Sequence, residues 1–346
     1  MSWDGRILGD ADLKPYFQRL RSAGLTARVA ALIEQQRQSW PMLEEGYAGL
    51  GCAETKQLDI EGSPIVVQHN SKRIRSTAAA VDQTSIRARK CFLCEDALPP
   101  EEKGLAYGDL LLMCNPFPIL DRHLSIVHRE HIEQKIAGNI ELLLDLAADL
   151  SPDYFVLYNG PQCGASAPDH LHFQACSREL LPIERTARAG DAEPHCSVCE
   201  ATATTGFEVF TVTDAGRSLI VFRGSNSGEL AGWIYAALEE LAGDDRSVEP
   251  MVNIISTYDR GSWTVYLFPR ARHRPACYFA EGDDRLTVSP GAIDMAGVVV
   301  TPERDHFDRI GPDHVLAIFS EVSRTEEDVN SVVERVCQSM GAEESG

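Results

Sequence analysis

Three polar residues alternate with apolar ones near the middle of the chain: His170, His172 and Gln174. On a β-strand, alternate residues point to the same face, so two imidazoles and a carboxamide would project together. The segment follows a glycine-containing turn, residues 159–169, whose bare backbone can approach a phosphate. Before the turn, the apolar run of residues 154–158 is typical of a buried strand. Because neutral imidazole is nucleophilic near pH 7, this arrangement predicts chemistry on a phosphorus atom.

Two cysteines separated by two residues, Cys91 and Cys94, lie upstream of this segment. Two thiolates at this spacing can reach one metal ion, and such a pair is half of a tetrahedral zinc site. A redox-active thiol pair is the alternative. That kind of pair usually sits at a strand-to-helix junction of a βαβ pattern, which is not evident here, so the spacing favours a metal.

A second pair with the same spacing, Cys196 and Cys199, has no matching pair downstream. Only two residues could complete a metal site with it, His273 and Cys277. We interpret this second pair as ordinary thiols. The N-terminal residues lack a basic region followed by an apolar one, so no signal peptide and a cytoplasmic location are expected. Ten cysteines in an unexported chain indicate free thiols and metal ligands rather than disulfides.

The composition is that of an acidic globular protein. Across 346 residues, 32 Lys and Arg against 52 Asp and Glu give a formal net charge of −20. Non-specific binding to nucleic acid is therefore not expected. There is no apolar run of about 18 residues that could span a membrane, so a membrane is not an expected partner either. The length suits two domains or one large duplicated domain.

The hydrophobic pattern predicts helices and strands in an α+β order. Helical spacing of apolar residues occurs in residues 12–40, 140–150 and 230–241. Strand-like runs occur in residues 65–68, 154–158, 207–210, 218–222, 252–255 and 263–268, and residues 110–118 and 123–131 are expected to form a hairpin. Residues 46–62 resemble a turn-rich connector. The order predicts an α+β sandwich rather than a doubly wound fold, and residues 207–346 repeat the rhythm of the first half without a second His-x-His.

The segment His170-Leu171-His172-Phe173-Gln174, with the turn before it, resembles the histidine-triad superfamily. Hydrolases of that superfamily typically carry His-x-His-x-His, whereas its transferase branch carries His-x-His-x-Gln, the form found here. This branch includes galactose-1-phosphate uridylyltransferase, diadenosine tetraphosphate phosphorylase and GDP-L-galactose phosphorylase. The sequence His-Leu-His-Phe-Gln is particularly similar to the motif of GDP-L-galactose phosphorylase. Over most of its length the sequence is similar to a bacterial branch of the superfamily. A plain strand with two histidines is the alternative, but the turn and the triplet occur together in the expected order.

The resemblance implies an α+β fold with two histidine-triad-like halves, each an antiparallel sheet packed with helices. It implies a catalytic half with a zinc site at residues 1–185 and a second half without the catalytic motif at residues 186–346. The specific motifs cover roughly residues 65–176. The segment 289–300 is similar to a glycine-containing strand of the transferases, where small residues allow the backbone to approach the non-nucleotide part of the substrate.

The resemblance also implies a complete metal site. In zinc-containing uridylyltransferases the ligands are two cysteines, a histidine from the following hairpin and the first histidine of His-x-His. The corresponding residues here are Cys91, Cys94, His131 and His170. Two other histidines compete for the hairpin position, first His128 and then His123. A closed sphere of this kind is structural rather than catalytic, and it would hold the strand that carries His172 in place.

The mechanism implied by the resemblance uses His172 as a nucleophile that attacks the α-phosphorus of a nucleotide and forms a nucleotidyl-histidine. Gln174 would donate a hydrogen bond to a non-bridging phosphoryl oxygen. A neutral carboxamide cannot act as a general acid, which limits the leaving groups to phosphates. Donors to the α- and β-phosphates are expected from Asn159, Gly164 and Ser166.

The implied activity is that of a nucleotidyltransferase, either a phosphorylase or a hexose-1-phosphate nucleotidylyltransferase, in a monomer or homodimer with structural Zn²⁺. The expected partners are a nucleotide sugar or dinucleoside polyphosphate and, as acceptor, inorganic phosphate or a sugar phosphate. Hydrolysis, with water as acceptor, is one alternative. A non-catalytic nucleotide-binding zinc protein is another, although a binding module has no need of the nucleophile His172. The base, the sugar and the acceptor stay open.

Two clusters of basic residues stand out in this acidic chain because Arg can grip phosphate through a bidentate fork. The first lies ahead of the metal cysteines, at a place where transferases of the superfamily often have an Arg-containing segment, and supplies Asn70, Arg73 and Arg75 as candidate substrate contacts. The second follows a predicted strand and supplies Arg270, Arg272 and Arg274. A solvated loop in the first case, and charge pairing with nearby acids in the second, are the alternatives.

Overall fold

The structure, a computed structural model, describes residues 3–17, 24–74, 83–186, 207–243 and 248–343. These residues form two sheets and twelve α-helices in a mixed order. The α+β class predicted from the sequence is therefore confirmed. Among the helices described, none combines the length and the apolarity that crossing a membrane requires.

The strands are numbered here in chain order. They are β1 (Glu54–Ile60), β2 (Ser63–His69), β3 (Gly104–Tyr107), β4 (Leu110–Cys114), β5 (Leu124–His128), β6 (Tyr154–Asn159), β7 (His172–Ser177), β8 (Glu208–Asp214), β9 (Arg217–Gly224), β10 (Val252–Asp259), β11 (Ser262–Pro269) and β12 (Val298–Thr301).

The helices are numbered in the same way. They are α1 (Asp10–Phe17), α2 (Leu25–Ser39), α3 (Pro41–Gly51), α4 (Gln83–Ala88), α5 (Ile140–Asp149), α6 (Pro182–Thr186), α7 (Ser227–Ala242), α8 (Ala276–Phe279), α9 (Ala292–Met295), α10 (Arg304–Arg309), α11 (Pro312–Val322) and α12 (Glu326–Glu343). Short 3₁₀ turns occur at Trp3–Arg6, Ser71–Arg73, Glu95–Ala97 and Gly282–Asp284.

The larger sheet has nine strands and contains the same arrangement twice. The first half has the strand order β4-β5-β7-β6 and the second half β8-β9-β11-β10, with α5 and α7 at the corresponding point of each. The halves meet where β6 pairs with β10 in antiparallel fashion, which places Asn159 opposite Asn253. The two expected halves are thus present, but they share one continuous sheet instead of forming one each. The division at residue 185 stays a prediction.

A second, three-stranded sheet also contains strands from both halves. Strand β12, from the predicted glycine-containing segment, runs parallel to β2 and pairs with it from Val298 opposite Val66 to Thr301 opposite His69. Strand β1 completes this sheet on the other side of β2. The second half therefore packs directly beside the segment that leads to the first basic cluster.

The two faces of β7 separate the core from the site. Phe173 and Ala175 are fully buried in the apolar cluster that includes side chains of α5 and α7. Because side chains alternate along a strand, His172 and Gln174 lie on the opposite face. Burying a large apolar side chain stabilises the fold by about 1.5–3 kcal/mol, and a slip of one residue would exchange the two faces. The core therefore determines which face carries the histidine.

The expected turn-rich connector at residues 46–62 was wrong. Helix α3 extends to Gly51, and β1 begins at Glu54. Glycines made this segment resemble a turn, but Gly46 has a packing role inside the helix. A Cβ atom there would lie 2.1 Å from the carbonyl oxygen of Pro116, so glycine allows the helix to contact the loop after β4.

Candidate active site

A cavity of ≈ 550 Å³ opens on the face of the nine-stranded sheet that carries His172 and Gln174. Both halves of the chain line it. The residues that come from the second half are His273, Arg274, Ser289, Gly291, Ala292, Ile293, Asp294 and Val300. The single predicted catalytic motif therefore lies in a cavity that the first half does not form alone.

His172 is held with one ring nitrogen directed at the backbone. Its Nδ1 atom lies 2.8 Å from the carbonyl oxygen of His170 and donates a hydrogen bond to it. The proton of the neutral ring is then on Nδ1, which leaves the Nε2 lone pair for a ligand. Burial lowers the pKa of His172 to about 4, so the imidazole is neutral near pH 7. The side chain is 5 % exposed and contributes to the cavity wall.

Gln174 is oriented by His123. The backbone N–H of Ile119 donates to Nδ1 of His123 across 3.2 Å, so the proton of this neutral imidazole is on Nε2. That atom donates to Oε1 of Gln174 across 2.7 Å. Burial lowers the pKa of His123 to about 3, which keeps the ring neutral. Because the amide oxygen of Gln174 is occupied, its NH₂ group is the end that can donate into the cavity.

Gln134 fixes the backbone at the start of β7. Its Oε1 atom accepts a hydrogen bond from the backbone N–H of His172 at 2.8 Å. Its Nε2 atom donates to the carbonyl oxygens of His172, at 3.1 Å, and of Asn159, at 2.9 Å. One buried side chain thus joins the end of β6 to the residue that carries the proposed nucleophile. The sequence contains no local signal for this role.

The turn before His170 is braced by residues of the second half. The amide oxygen of Asn159 accepts hydrogen bonds from Asn253 Nδ2 and from the backbone N–H of Ala292, both at 2.8 Å. Gly164 has a φ of +113°, and a Cβ atom there would lie 2.8 Å from the Cα atom of Gly291, so only glycine fits. Asn159, Gly164 and Ser166 all line the cavity, as their predicted role requires.

The four predicted metal ligands lie together. The candidate ligand atoms of Cys91, Cys94, His131 and His170 are within 4.8 Å of one another, and this cluster could hold a metal ion. The sulfur of Cys91 is 3.3 Å from Nδ1 of His170, and the sulfur of Cys94 is 3.3 Å from Nδ1 of His131. Two sulfur and two nitrogen donors fit the preference of a closed tetrahedral zinc site.

Backbone contacts determine which histidine nitrogen faces the cluster. Nε2 of His170 donates to the carbonyl oxygen of His128 across 2.7 Å, so Nδ1 carries the lone pair that a metal requires. His128, the first competitor for the hairpin position, supports the site through its backbone and not its ring. His123, the second competitor, contacts Gln174 instead.

Among the first basic cluster, only Arg73 lines the cavity within the part of the chain that the structure describes. Its NH1 atom donates to the carbonyl oxygen of Phe117 at 2.8 Å. Burial lowers the pKa of Arg73 to about 10, which leaves it charged near neutral pH. The predicted substrate contact at Asn70 is corrected: this residue is buried, and its Nδ2 donates to the carbonyl of Pro118 at 3.1 Å. Arg75 lies outside the described residues.

Of the second cluster, Arg274 lines the cavity, whereas the prediction is corrected for Arg270 and Arg272. Arg270 is fully buried, and its guanidinium donates to Asn253 Oδ1 at 2.5 Å and to the carbonyls of Pro290 and Val322. Its role is structural because its donors are used inside the protein. Arg272 pairs with Glu321 at the surface. Nε of Arg274 donates to Oγ of Ser289 at 3.0 Å.

Several cavity residues carry no local sequence signal. Asp294 is buried and accepts hydrogen bonds from the backbone of Gly291 and Val300. Burial raises the pKa of Asp294 to about 6. Other unpredicted lining residues are Trp40, Met42, Phe92, Glu102 and Ser125. The second cysteine pair, Cys196 and Cys199, lies outside the described residues.

Comparisons with known proteins agree with this organisation. Residues 32–177 match a family model described as a domain of unknown function, DUF4922, and residues 191–343 match one described as GDPGP1-like, C-terminal domain. Each model matches less than half of the chain. No protein with a curated function matches the sequence.

Solved structures show the fold more directly. The chain is similar to yeast Ap4A phosphorylase Apa2, with a TM-score of 0.51, 16% identity, and coverage of 82% of this chain and 93% of that one. The same enzyme in complex with AMP gives a TM-score of 0.52, 16% identity, and coverage of 84% and 96%. A uridylyltransferase mutant matches with a TM-score of 0.40 and 12% identity, over 82% of this chain and 98% of that one. The resemblance to the histidine-triad transferases is thus confirmed at the level of fold: the chain has the fold of the Ap4A phosphorylase, with a match to the GDPGP1-like C-terminal domain in its second half.

Proposed function

We propose that this chain is a nucleotidyltransferase of the phosphorylase or hexose-1-phosphate type. It would transfer a nucleotidyl group from a nucleotide sugar or dinucleoside polyphosphate to inorganic phosphate or a sugar phosphate, through a nucleotidyl group on His172. The observation that carries the proposal is the hydrogen bond from Nδ1 of His172 to the carbonyl of His170, which presents Nε2 beside Gln174 in the cavity. The fold shared with the yeast Ap4A phosphorylase supports it.

In the first displacement, the Nε2 lone pair of His172 forms a bond to the α-phosphorus, and the bond from that phosphorus to the bridging oxygen breaks. The electron pair leaves on the phosphate-bearing product, which needs no proton to depart near neutral pH. As Nε2 gains positive charge, the carbonyl of His170 stabilises the ring through Nδ1–H. In the second displacement, a phosphate oxygen attacks the same phosphorus, and the pair of the P–N bond returns to Nε2.

Gln174 supports both displacements without transferring a proton. Since His123 occupies its oxygen, its NH₂ group would donate to a non-bridging oxygen whose charge increases in the transition state. A carboxamide cannot protonate a leaving group, so alcohols of ordinary basicity are excluded and phosphates are favoured. A carboxamide also cannot take a proton from an attacking water molecule, whereas a phosphate acceptor is already an anion, so transfer is a better match to the site than hydrolysis.

Phosphate binding would come from both halves. Asn159, through its NH₂ group, together with Gly164 and Ser166, would contact the α- and β-phosphates next to His172. Arg73 and Arg274 line the cavity, and in this proposal they contact substrate or acceptor phosphate. Charge-assisted hydrogen bonds from a guanidinium are stronger than neutral ones, so these two residues would supply much of the anion affinity.

The metal would be zinc, held by Cys91, Cys94, His131 and His170. Four protein ligands leave no open position for substrate, so zinc would supply structural cross-linking and not acid–base chemistry. His170 is two residues before His172, and its backbone carbonyl holds the nucleophile's ring. The cluster would therefore position the catalytic histidine indirectly.

The test is covalent labelling with nucleotide donors radiolabelled at the α-phosphorus. Nucleotide sugars and dinucleoside polyphosphates are supplied separately, each with and without inorganic phosphate. We expect a label on His172 that is acid-labile and base-stable, and that phosphate removes as a free nucleotide. A protein that binds nucleotide without labelling would contradict the proposal. Loss of the label to water at the same rate with and without phosphate would instead indicate a hydrolase.

A further inference from the structure

Three polar residues at the ends of neighbouring strands form a chain of hydrogen bonds that runs from the second half to the cavity. Asn159 ends β6, Asn253 lies opposite it on β10, and Arg270 directly follows β11, the next strand of the sheet. The guanidinium of Arg270 donates to Oδ1 of Asn253 at 2.5 Å, and Nδ2 of Asn253 donates to Oδ1 of Asn159 at 2.8 Å. Of the three, only Asn159 lines the cavity. The other two therefore act on the cavity through Asn159.

Arg270 is held in a single orientation. It is 1 % exposed, and each of its five N–H groups donates to an oxygen atom of the protein. Besides the Asn253 amide, the acceptors are the backbone carbonyl groups of Arg272, His273, Pro290 and Val322. Because a guanidinium donates hydrogen bonds and accepts none, Asn253 must present its amide oxygen to Arg270.

Groups with a single hydrogen-bonding role fix the orientation of both amides. The oxygen of Asn253 faces Arg270, and its Nδ2 atom donates to the backbone carbonyl of Cys163 at 2.6 Å as well as to Asn159. The backbone N–H of Ala292 donates to Oδ1 of Asn159 at 2.8 Å. A backbone N–H can only donate and a carbonyl can only accept. The Asn159 oxygen therefore points into the protein, towards two donors.

This orientation is strongly preferred because both amides are buried. Asn253 is fully buried, and Asn159 is 8 % exposed. A half-turn of the Asn159 amide would place its NH₂ group against the donors of Asn253 and Ala292. Donors that face each other in the interior lose their hydrogen bonds with no water to replace them, which is costly. Among the described residues, none accepts a hydrogen bond from Nδ2 of Asn159, so its NH₂ group is the end that a ligand in the cavity can contact.

We propose that Asn253 is a positioning residue for nucleotidyl transfer: it holds the Asn159 amide with its NH₂ group towards the cavity, where that group donates to a phosphate oxygen beside His172. The inference rests on the proposed function only in requiring that a nucleotide phosphate binds there. The second half then contributes to phosphate binding through a residue that touches no ligand, and the donor is oriented before a substrate arrives. The alternative role for Asn253 is only to join β6 to β10.

A double-mutant cycle on nucleotide affinity separates these two roles. The ligand is whichever of AMP, GMP, CMP and UMP the purified metal-containing protein binds most tightly, because a nucleoside monophosphate carries the α-phosphate but no leaving phosphate. Kd is measured by calorimetry for the unmodified protein, Asn159→Ala, Asn253→Asp and the double variant. Thermal unfolding of each protein is followed in parallel.

Asn253→Asp keeps the size of the side chain and an acceptor for Arg270 but removes the donor to Asn159. The Asn159 amide is then expected to turn its NH₂ group towards the carboxylate and its oxygen towards the phosphate. We expect Asn253→Asp and Asn159→Ala each to weaken nucleotide binding by roughly tenfold or more. In the double variant the Asn253→Asp change should add less than about threefold, because the amide through which it acts is absent.

Asn226→Asp is the matched control. Asn226 is the exposed N-cap of α7, and its side chain accepts hydrogen bonds from the backbone of Gly228 and Glu229. Asp caps a helix as well as Asn does. This variant therefore adds the same charge as Asn253→Asp and should leave both Kd and the unfolding temperature unchanged.

Asn159→Asp gives a second test that does not depend on how well Asn253→Asp folds. Its inward oxygen still accepts from Asn253 and Ala292, so the protein should remain folded, while its second oxygen faces the cavity as a negatively charged acceptor. We expect nucleotide affinity to fall further than in Asn159→Ala. An Asn159→Asp protein that does not fold, or that binds nucleotide as tightly as the unmodified protein, would overturn the orientation of the amide and with it the inference.

Unchanged affinity in Asn253→Asp would also overturn the inference, as would failure of the unmodified protein to bind any of the four nucleotides. Losses that add fully in the double variant would do the same, since they are expected if Asn253 only joins the strands. Failure here is separable from failure of the proposed function. Labelling of His172 together with additive losses removes only the role of Asn253, whereas coupled losses without labelling remove only the covalent mechanism.

Discussion

His123 donates a hydrogen bond from Nε2 to Oε1 of Gln174 across 2.7 Å. The contact is the middle of a relay that begins at the backbone N–H of Ile119 and ends at the amide group of the transferase-type motif. Since the backbone donor fixes the tautomer of His123, and His123 fixes the amide orientation, the donor end of Gln174 is set before any substrate binds. This preorganisation is the property that transition-state stabilisation requires.

His123→Phe keeps a ring of similar size but removes the donor. We expect kcat to fall by about ten- to a hundredfold, because Gln174 could then rotate its oxygen towards the phosphoryl group, while KM changes little. Steady-state kinetics separates the two parameters, and metal analysis should show unchanged metal content. An unchanged kcat would mean that Gln174 does not depend on His123 for its orientation.

The two histidines of the motif should respond in opposite ways. His172→Gly or His172→Asn is expected to abolish labelling and turnover while metal content and fold persist, because the nucleophile is lost without a ligand. His170→Asn is expected to reduce metal content. Mass spectrometry of the intact protein, metal analysis and circular dichroism follow each property. Substantial transfer by His172→Asn, or a label on another residue, would contradict the covalent mechanism and leave the resemblance at the level of fold.

Metal removal should affect stability more than chemistry. The pure protein is expected to contain about one zinc per chain, and Cys91→Ser should lose it and unfold at lower temperature. Cys52→Ser, which changes an exposed free cysteine, is the matched control and should keep the metal. Metal analysis and thermal unfolding are the measurements. Stoichiometric zinc that survives Cys91→Ser would refute this ligand set.

Substitution of the arginines that line the cavity should affect the kinetics more than substitution of a surface arginine. Arg274→Gln and Arg73→Gln are expected to raise KM or lower kcat/KM by roughly tenfold or more, since charge-assisted bonds to phosphate contribute about 1.5–3 kcal/mol. Arg272→Gln breaks only a surface pair with Glu321, and exposed pairs contribute about 0–1 kcal/mol, so it serves as the control. Unchanged kinetics for both cavity arginines would show that other groups bind the phosphates.

Glu102→Gln should change the pH dependence of the free energy of unfolding, because Glu102 is buried at the cavity wall. The folded pKa of Glu102, about 7, lies above the ordinary glutamate value of 4.5, so the folded state binds more protons between these values. Stability from this group is present below about pH 4.5 and is lost as the pH rises through 7. The neutral amide does not titrate, so the variant should be more stable than the unmodified protein at pH 8, on the order of 1–3 kcal/mol, and similar at pH 4.5. Denaturant unfolding at both pH values checks this, and an equal difference at the two would exclude it.

Local patterns explain why part of the site could be predicted from the sequence. Alternation along a strand places His172 and Gln174 on one face whatever the rest of the fold, and the spacing of Cys91 and Cys94 is itself a ligand geometry. The long-range partners have no such signal. Gln134 and His172 are 38 residues apart in the sequence, and His123 and Gln174 are 51 apart. Gln134 and His123 are ordinary polar residues in the sequence, and only the folded sheet brings them to these partners.

The predicted substrate contacts in the two basic clusters were partly wrong for a related reason. Clustering in an acidic chain predicts an anion site, but it does not tell which arginine has partners inside the protein. Arg270 follows β11 directly and is buried, and its guanidinium donates hydrogen bonds to Asn253 and to two backbone carbonyl groups. Arg274, four residues further on, reaches the cavity. The fold was easier to predict, because the repeated order of strands and helices follows from hydrophobic periodicity.

The hydrogen bond between Asn253 and Asn159 has a consequence for how duplicated proteins change over time. After a duplication, a copy without a His-x-His motif is expected to accumulate substitutions or to be deleted. Here the second half braces the turn beside His172 and supplies part of the cavity wall. Tolerance of substitutions in the second half should therefore be lowest around Asn253 and Arg270, far along the sequence from the proposed catalytic motif.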